Sequence, residues 1–481
     1  MTTQTTKGVM EDESSGNKIL KYLRNIKTRR SSLRLFNKIA AKLPHSLTAE
    51  DTRHPLGAFV VFSDEVLFHI FLYIPLRDLG SLALSSRLMR DKLITFHFSK
   101  QALVALKPRI FEQKEGKKDT VKEKEYSNHF LNLGIFLKKL TCLFTTRERL
   151  KIVGELLEKL KDTHTALYKN YGCDTAYRCY GSMLHAFING WELDEKNRAF
   201  IAIKAASSVD ERLQEALEKG FGSRPWYEKY VRVFYREIFL DQSVDDSERG
   251  FWLCRMISPL PLFHQARLLY MLYGPEDDND ELIDWNRVST NPTFFGVDNK
   301  DVAGIALALM SLYNHSDKKR NHNNIVSIIE ELINGWCWEN IAKLLRLCSD
   351  EICFDFLSSK AINGRIQEVV NIFFYIAQVI YAKTFEDRIN GKDCQRYLKW
   401  FVFIVQRVLN VMTCLKQRAL LVRSLFDIWE ENLLNFHDDE NAFTEDDSAL
   451  GEIFNASVHI LAKVSCMLFL EKFDICPGDE K

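Results

Sequence analysis

The chain has 481 residues, a length that suits about three domains. Its 65 basic and 65 acidic residues balance, which excludes a global field directed at nucleic acid or at an anionic surface. Phe is abundant (33) while Gly (21) and Pro (10) are scarce, which favours helices over a turn-rich all-β fold. The eleven cysteines include no Cys-x-x-Cys spacing and no secretory leader opens the sequence, so reduced thiols in cytosol or nucleus are expected. No apolar run approaches the about 18 residues of a membrane helix. The best stretch, "FVFIVQRVLNVMTCL", carries Arg407 within it.

Residues 1–55 read as a basic tail: no acid occurs between Ser14 and Ala49, while lysine and arginine recur. A solvated leader, a nuclear-import or nucleic-acid patch built on Lys27, Arg29, Arg30 and Arg34, and a mitochondrial transit peptide are all compatible with it. The "MEDE" ending at Glu13 counts against the last of these.

"FSDEVLFHIFLYIPLRDLGSLALSSRLMRDKLI", Phe62 to Ile94, resolves into three short helices. In the first, Leu67, Ile70, Phe71 and Ile74 repeat at i, i+3, i+4 and i+7 and form one stripe. Ser63 is placed to cap it, Asp64 and Glu65 suit its first turn, and Pro75 stops it. The second runs from about Leu76 to Leu84 with Leu79, Leu82 and Ala83 inward. The third turns Met89, Leu93 and Phe96 to one side. Three helices this short bury little alone, so an external partner or docking onto the rest of the chain is expected.

A charged segment, 99–128, reads as a linker or an exposed helix, and from 129 onward the pattern is helix after helix. Leu133, Phe136, Leu137, Leu140 and Phe144 share a face. Thr145 and Glu148 then form a capping box ahead of the stripe Leu150, Val153, Leu157 and Leu160. Pro261 starts one later helix, Gly274-Pro275 ends it, and "RIQEVVNIFFYIAQVIYAK" is apolar nearly all round, as a central helix should be. Ile-Asn-Gly occurs at 188–190, 333–335 and 362–364, each time after an apolar helical turn, which predicts left-handed C-caps. The spacings are unequal, so an irregular helical domain and a loose helical-repeat stack both remain open. The fold class is all-α.

No phosphate-cradling glycine loop, His-Glu-x-x-His or Gly-x-Ser-x-Gly occurs. Cys179 with His185 reads as core packing rather than a nucleophilic dyad. His315 and His322 lack a third metal ligand, and Trp336 and Trp338 read as core more than as a partner anchor. The expectation is a protein without cofactor, catalytic residue, metal or membrane contact.

Aligned without a gap, Phe62 to Ile94 resembles an F-box, the three-helix module that binds a Skp-type adaptor. The matching residues are Glu65, Val66 and Leu67; Ile70, Phe71, Tyr73 and Ile74; Asp78, Leu79 and Leu82; Ser86 and Arg87; Leu93 and Ile94. It departs at Ser63, Ser85 and Met89, where the family favours Pro, Val or Cys, and Trp. The blocks "LGIFLKKLTCLFTTRERLK", "CYGSMLHAFINGW", "FWLCRMISPLPLFHQARLLYMLYGP" and "ICFDFLSSKAINGR" resemble the F-box only protein 47 family, in the same order. The resemblance implies an F-box at 56–98 followed by a substrate-holding helical domain at 129–481. Its adaptor-binding set would be Phe62, Glu65, Val66, Leu67, Ile70, Phe71, Ile74, Asp78, Leu79, Leu82, Ser86, Arg87, Leu93 and Ile94. It further implies a cullin reached through the adaptor, an unknown protein substrate, and a germ-cell or meiotic setting in nucleus or cytoplasm. Two other readings stay open: a helical scaffold with a vestigial F-box, and a chromatin-associated protein led by its basic tail.

Overall fold

Leu67 and Phe71, one helical turn apart, are fully buried, and they set the first contact of the fold. They lie on α1 (Asp64–Phe71); Leu79 and Ala83 of α2 (Leu76–Leu82 and its C-cap) and Leu93 and Phe96 of α3 (Arg87–Phe98) are fully buried as well. Phe71 stands edge-on to Phe96 at 5.4 Å, and Phe68 lies 5.6 Å from the same ring. Such aromatic pairs contribute about 0.5–1.5 kcal/mol beyond their buried area. The computed structural model describes residues 62–99, 120–278, 281–290, 300–315, 318–389 and 395–439, with short pieces at 55–56, 101–102 and 106–108. The basic tail, including Lys27, Arg29, Arg30 and Arg34, lies outside the described residues, as does everything after Asp439.

The described helices fall into two compact units. The first holds the described residues up to Lys219 together with 226–244, and the second holds 220–225 together with the described residues from Asp245 on. In the first unit the knob is not free-standing. Its α2 lies along α4 (Thr120–Leu140), where a Cβ on Gly80 would come within 3.3 Å of Phe136 Cα and 3.0 Å of Lys139 Cδ. A side chain there would make its neighbours give by a few tenths of an ångström, so glycine suits this close approach. Beside it lies α6 (Lys161–Ile188), which is broken at Gly172 (φ 88°) so that its first half folds back and His164 meets Tyr180. The half after Gly172 runs in the same direction as α4, Phe130 meeting Tyr180 and Gly134 lying against Met183. Between them α5 (Thr146–Lys159) carries the chain back, opened by the Thr145–Glu148 capping box. The unit is completed by α7 (Leu193–Ala206), α8 (Val209–Glu218), α9 (Pro225–Tyr235) and a π turn at Arg236–Leu240. Arg178 grips Glu237 of that turn with two 2.9 Å hydrogen bonds.

The second unit is built in two rows. One row contains α10 (Asp246–Ile257), α13 (Lys300–His315), α15 (Trp338–Leu347), α17 (Ile366–Ile389) and α19 (Leu415–Asp439), each packed on the next. The other contains α11 (Leu262–Tyr273), α14 (Lys318–Leu332), α16 (Asp350–Ile362) and α18 (Gln395–Val411). The short α12 (Arg287–Thr290) precedes α13. The chain passes from the second row back to the first at Asn-Gly twice, with Gly335 at φ 81° and Gly364 at φ 76°; Gly190 ends α6 at φ 77°. Asparagine-glycine supplies the left-handed residue that stops a helix, as its recurrence predicts. The rows are joined by Lys360, which is almost fully buried and donates to Glu330 at 3.3 Å and Glu368 at 2.8 Å.

Four sequence expectations need adjusting. Helix α1 ends at Phe71, a turn before Pro75, so Ile74 sits in the turn. Helix α4 starts at Thr120, inside the segment read as a linker or an exposed helix, and it buries Tyr126. Of the stripe expected along α5, Leu160 at its C-cap is sealed while Leu150, Val153 and Leu157 are half-buried, and Leu156 is sealed in their place. The single domain expected over 129–481 divides between the two units, and the F-box segment joins the first of them.

Candidate docking face

The apolar residues of α1 form two stripes rather than one. Leu67 and Phe71 point inward, while Val66 (45% exposed), half-buried Ile70 and Tyr73 (78% exposed) repeat at i, i+4 and i+7 on the adjoining side. Phe62 and Leu84 are exposed as well. Exposed side chains of this size gathered on one small knob make it the candidate docking face. The remaining edges are occupied: α2 by α4, and α3 by Lys159, whose ammonium lies 5.0 Å over the Phe98 ring and donates to the Phe98 carbonyl at 3.4 Å.

The fourteen residues marked by resemblance therefore divide into three groups. Leu67, Phe71, Leu79, Leu93 and Ile94 are sealed inside and hold the knob together. Ile70, Ile74, Leu82 and Ser86 are half-buried; Phe62, Glu65, Val66, Asp78 and Arg87 are exposed. Ser86 has a local task, since its hydroxyl accepts from the Met89 backbone N–H at 3.1 Å and caps α3. Ser63 occupies the N-cap position of α1 but makes no cap hydrogen bond to the backbone. The Glu65 carboxyl is held below its usual range, first by a backbone N–H at the helix start and then by the Ser63 hydroxyl. Tyr73 and Leu84 join the surface without belonging to that set. The i, i+7 relation of Val66 and Tyr73 was the signal that could have found Tyr73; Leu84 follows another helix and no spacing links it to them.

At the buried edge of the knob lies His97, fully enclosed, its ring 5.1 Å from Phe98 and 6.2 Å from Phe136. Among the described residues neither ring nitrogen meets a hydrogen-bond partner. Burial, with Lys159 nearby, pushes the imidazole down to about 3, so the ring is neutral in the folded protein.

Among the described residues no group of three or more His, Cys, Asp or Glu side chains could hold a metal, and no helix is long and apolar enough to cross a membrane. The Cys179 thiol is buried and pushed up to about 12, chiefly by desolvation, which leaves it protonated and inert. Trp336 and Trp338 are half-buried, between the two readings their positions allowed.

Three comparisons bear on this architecture. A family model described as FBXO47, ARM repeats, matches residues 205–463, taking in the two-row stack. F-box only protein 47 of Mus musculus is 28% identical over 378 residues, covering 77% of this chain and 79% of that protein. F-box only protein 47 of Homo sapiens is 28% identical over 378 residues, covering 76% and 81%. No solved structure matches the chain. The three-helix knob and the helical repeat thus define an F-box protein whose remaining length is built of stacked helices. Within that class, the chain belongs to the FBXO47 ARM-repeat family.

Proposed function

We propose that this protein is the substrate-recognition subunit of a Skp–cullin–F-box type ubiquitin ligase. Its outer α1 stripe docks a Skp-type adaptor, which connects to a cullin, and its helical units hold a target protein. The role is non-catalytic. It brings target lysines close to a ubiquitin-charged carrier, at an effective concentration on the order of millimolar when the span is well matched. The observation that carries this reading is the outward set Phe62, Val66, Tyr73 and Leu84 on a knob whose other edges are occupied. Resemblance to the family supports a germ-cell or meiotic setting in nucleus or cytoplasm, with a protein rather than a nucleic acid as target.

The test is co-purification with the Skp-type adaptor. Val66→Asp/Tyr73→Asp should abolish capture at unchanged melting temperature, because both side chains already face water. Leu67→Asp is unsuitable, since a charge at a fully buried position would unfold the knob. Adaptor capture by the double variant at wild-type levels would remove α1 as the contact. Affinity proteomics under proteasome inhibition, comparing the same pair, would then identify targets lost with the adaptor.

A further inference from the structure

In the second unit, the last turn of α15 and the first turns of α18 bring Arg346 against two aromatic rings. Its guanidinium carbon lies 4.3 Å from the Trp400 centroid and 5.5 Å from that of Tyr397. Arg396 covers the same tyrosine at 4.6 Å and donates through Nη2 to its hydroxyl at 2.6 Å. The indole N–H of Trp400 donates to Asp350 Oδ1 at 2.7 Å, which fixes the floor. Among the described residues Arg346 has these ring contacts but neither a hydrogen bond nor an ion pair; burial lowers its affinity for its own proton, which Tyr397 and the Asp350 carboxylate partly oppose. Arg407, which lies 3.9 Å over Phe354, shows the contrast: it is committed to Glu351 through bonds of 2.9 and 3.3 Å. A guanidinium fork on an aromatic floor with its donors unused is a geometry that receives an oxyanion.

The surroundings indicate what carries that anion. Arg396, Trp400, Phe403 and Arg407 follow at i, i+4, i+7 and i+11 along α18, a track about 16 Å long. Phe403 is 48% exposed, so the track continues as an apolar surface. Asp350 and Glu351 stand beside it and would repel a polyanion such as nucleic acid.

We propose that Arg346 and Arg396, floored by Tyr397 and Trp400, recognise one oxyanion side chain, phosphate or carboxylate, on an extended segment of a bound protein laid along α18. That this segment belongs to a ligase target rests on the receptor reading above; the anion site itself does not. The experiment uses the full chain and three fluorescein-labelled pools of twelve-residue peptides, neutral and degenerate except for a central phosphoserine, glutamate or serine. Anisotropy should show the two anionic pools binding at least about tenfold more tightly than the serine pool. The preferred anionic pool identifies the source. Arg346→Ala should remove that preference, Arg346→Lys should fail to restore it because an ammonium lacks the fork, and Arg396→Glu should weaken it in the same way. Should Arg346→Ala melt early, Arg396→Glu, at an exposed position, decides the matter in its place. Equal binding of all pools, no binding by any, wild-type affinity in both arginine variants, or tighter binding of a single-stranded DNA oligomer would each overturn the proposal. Adaptor capture, run on the same variants, should be unaffected. Its failure in wild type with peptide binding intact would fault the receptor reading and leave the site.

Discussion

Replacing His97 by leucine removes a fully buried ring, its two nitrogens unpartnered among the described residues, and leaves a side chain of similar volume at the edge between the knob and α4. A buried polar group without a partner costs about 1–3 kcal/mol, so the variant should hold the knob more firmly at pH 7. The larger effect is in acid. In the open state the imidazole titrates near 6.5, and in the folded state burial lowers that to about 3. Because the folded value is the lower one, the open state takes up the proton first. The contribution is intact above pH 6.5 and is lost as pH falls towards 3. Between pH 7 and pH 5 the wild type should lose about 2 kcal/mol through this residue, and the leucine variant none of it. Native-state hydrogen exchange on the full chain, corrected for intrinsic rates, reads the difference in amides of α3 and the facing turns of α4. Parallel loss of protection in both proteins, or a variant less protected at pH 7, would refute the argument.

The remaining expectations concern other contacts. Gly80→Leu should force α2 away from α4, costing about 1–3 kcal/mol by overpacking and exposing the 62–99 region to limited proteolysis. Gly335→Ala meets no atom within 4 Å, so its cost, about 1 kcal/mol in equilibrium unfolding, should come entirely from holding φ at 81° with a Cβ present. Mass-spectrometric alkylation at pH 8 should label exposed Cys142 and Cys414 quickly. It should spare Cys179 and Cys353, whose buried thiols are pushed up to about 12, until the chain unfolds.

Much of this fold was readable because local and tertiary demands agree. Leu133, Phe136, Leu137 and Leu140 recur at helical spacing and all four are buried. Thr145 and Glu148 satisfy each other as their separation implies, and each Ile-Asn-Gly ends a helix with glycine at positive φ. The start of α4 was hidden because Lys122, Glu123, Lys124 and Glu125 suit a solvated linker and a helix surface equally; Tyr126 and Phe130, buried against α6, settle it. The split of α1 into inward and outward stripes depends on where α2 and α3 lie, which spacing within one helix does not specify. Equally, the two rows carry no fixed period because their helices begin irregularly, at 246, 300, 338, 366 and 415 in one row. The Arg346 site was invisible for a similar reason: its cation and its rings come from α15 and α18, with two helices between them in sequence.

The two-row build of the second unit also has a mechanical meaning. The main contacts of each helix there are with its immediate neighbours in the described stack. Pulled from its ends, such a ladder should peel rung by rung in a train of small extensions instead of one abrupt rip. A lesion in one rung would then be felt by the adjacent rungs and fade beyond them.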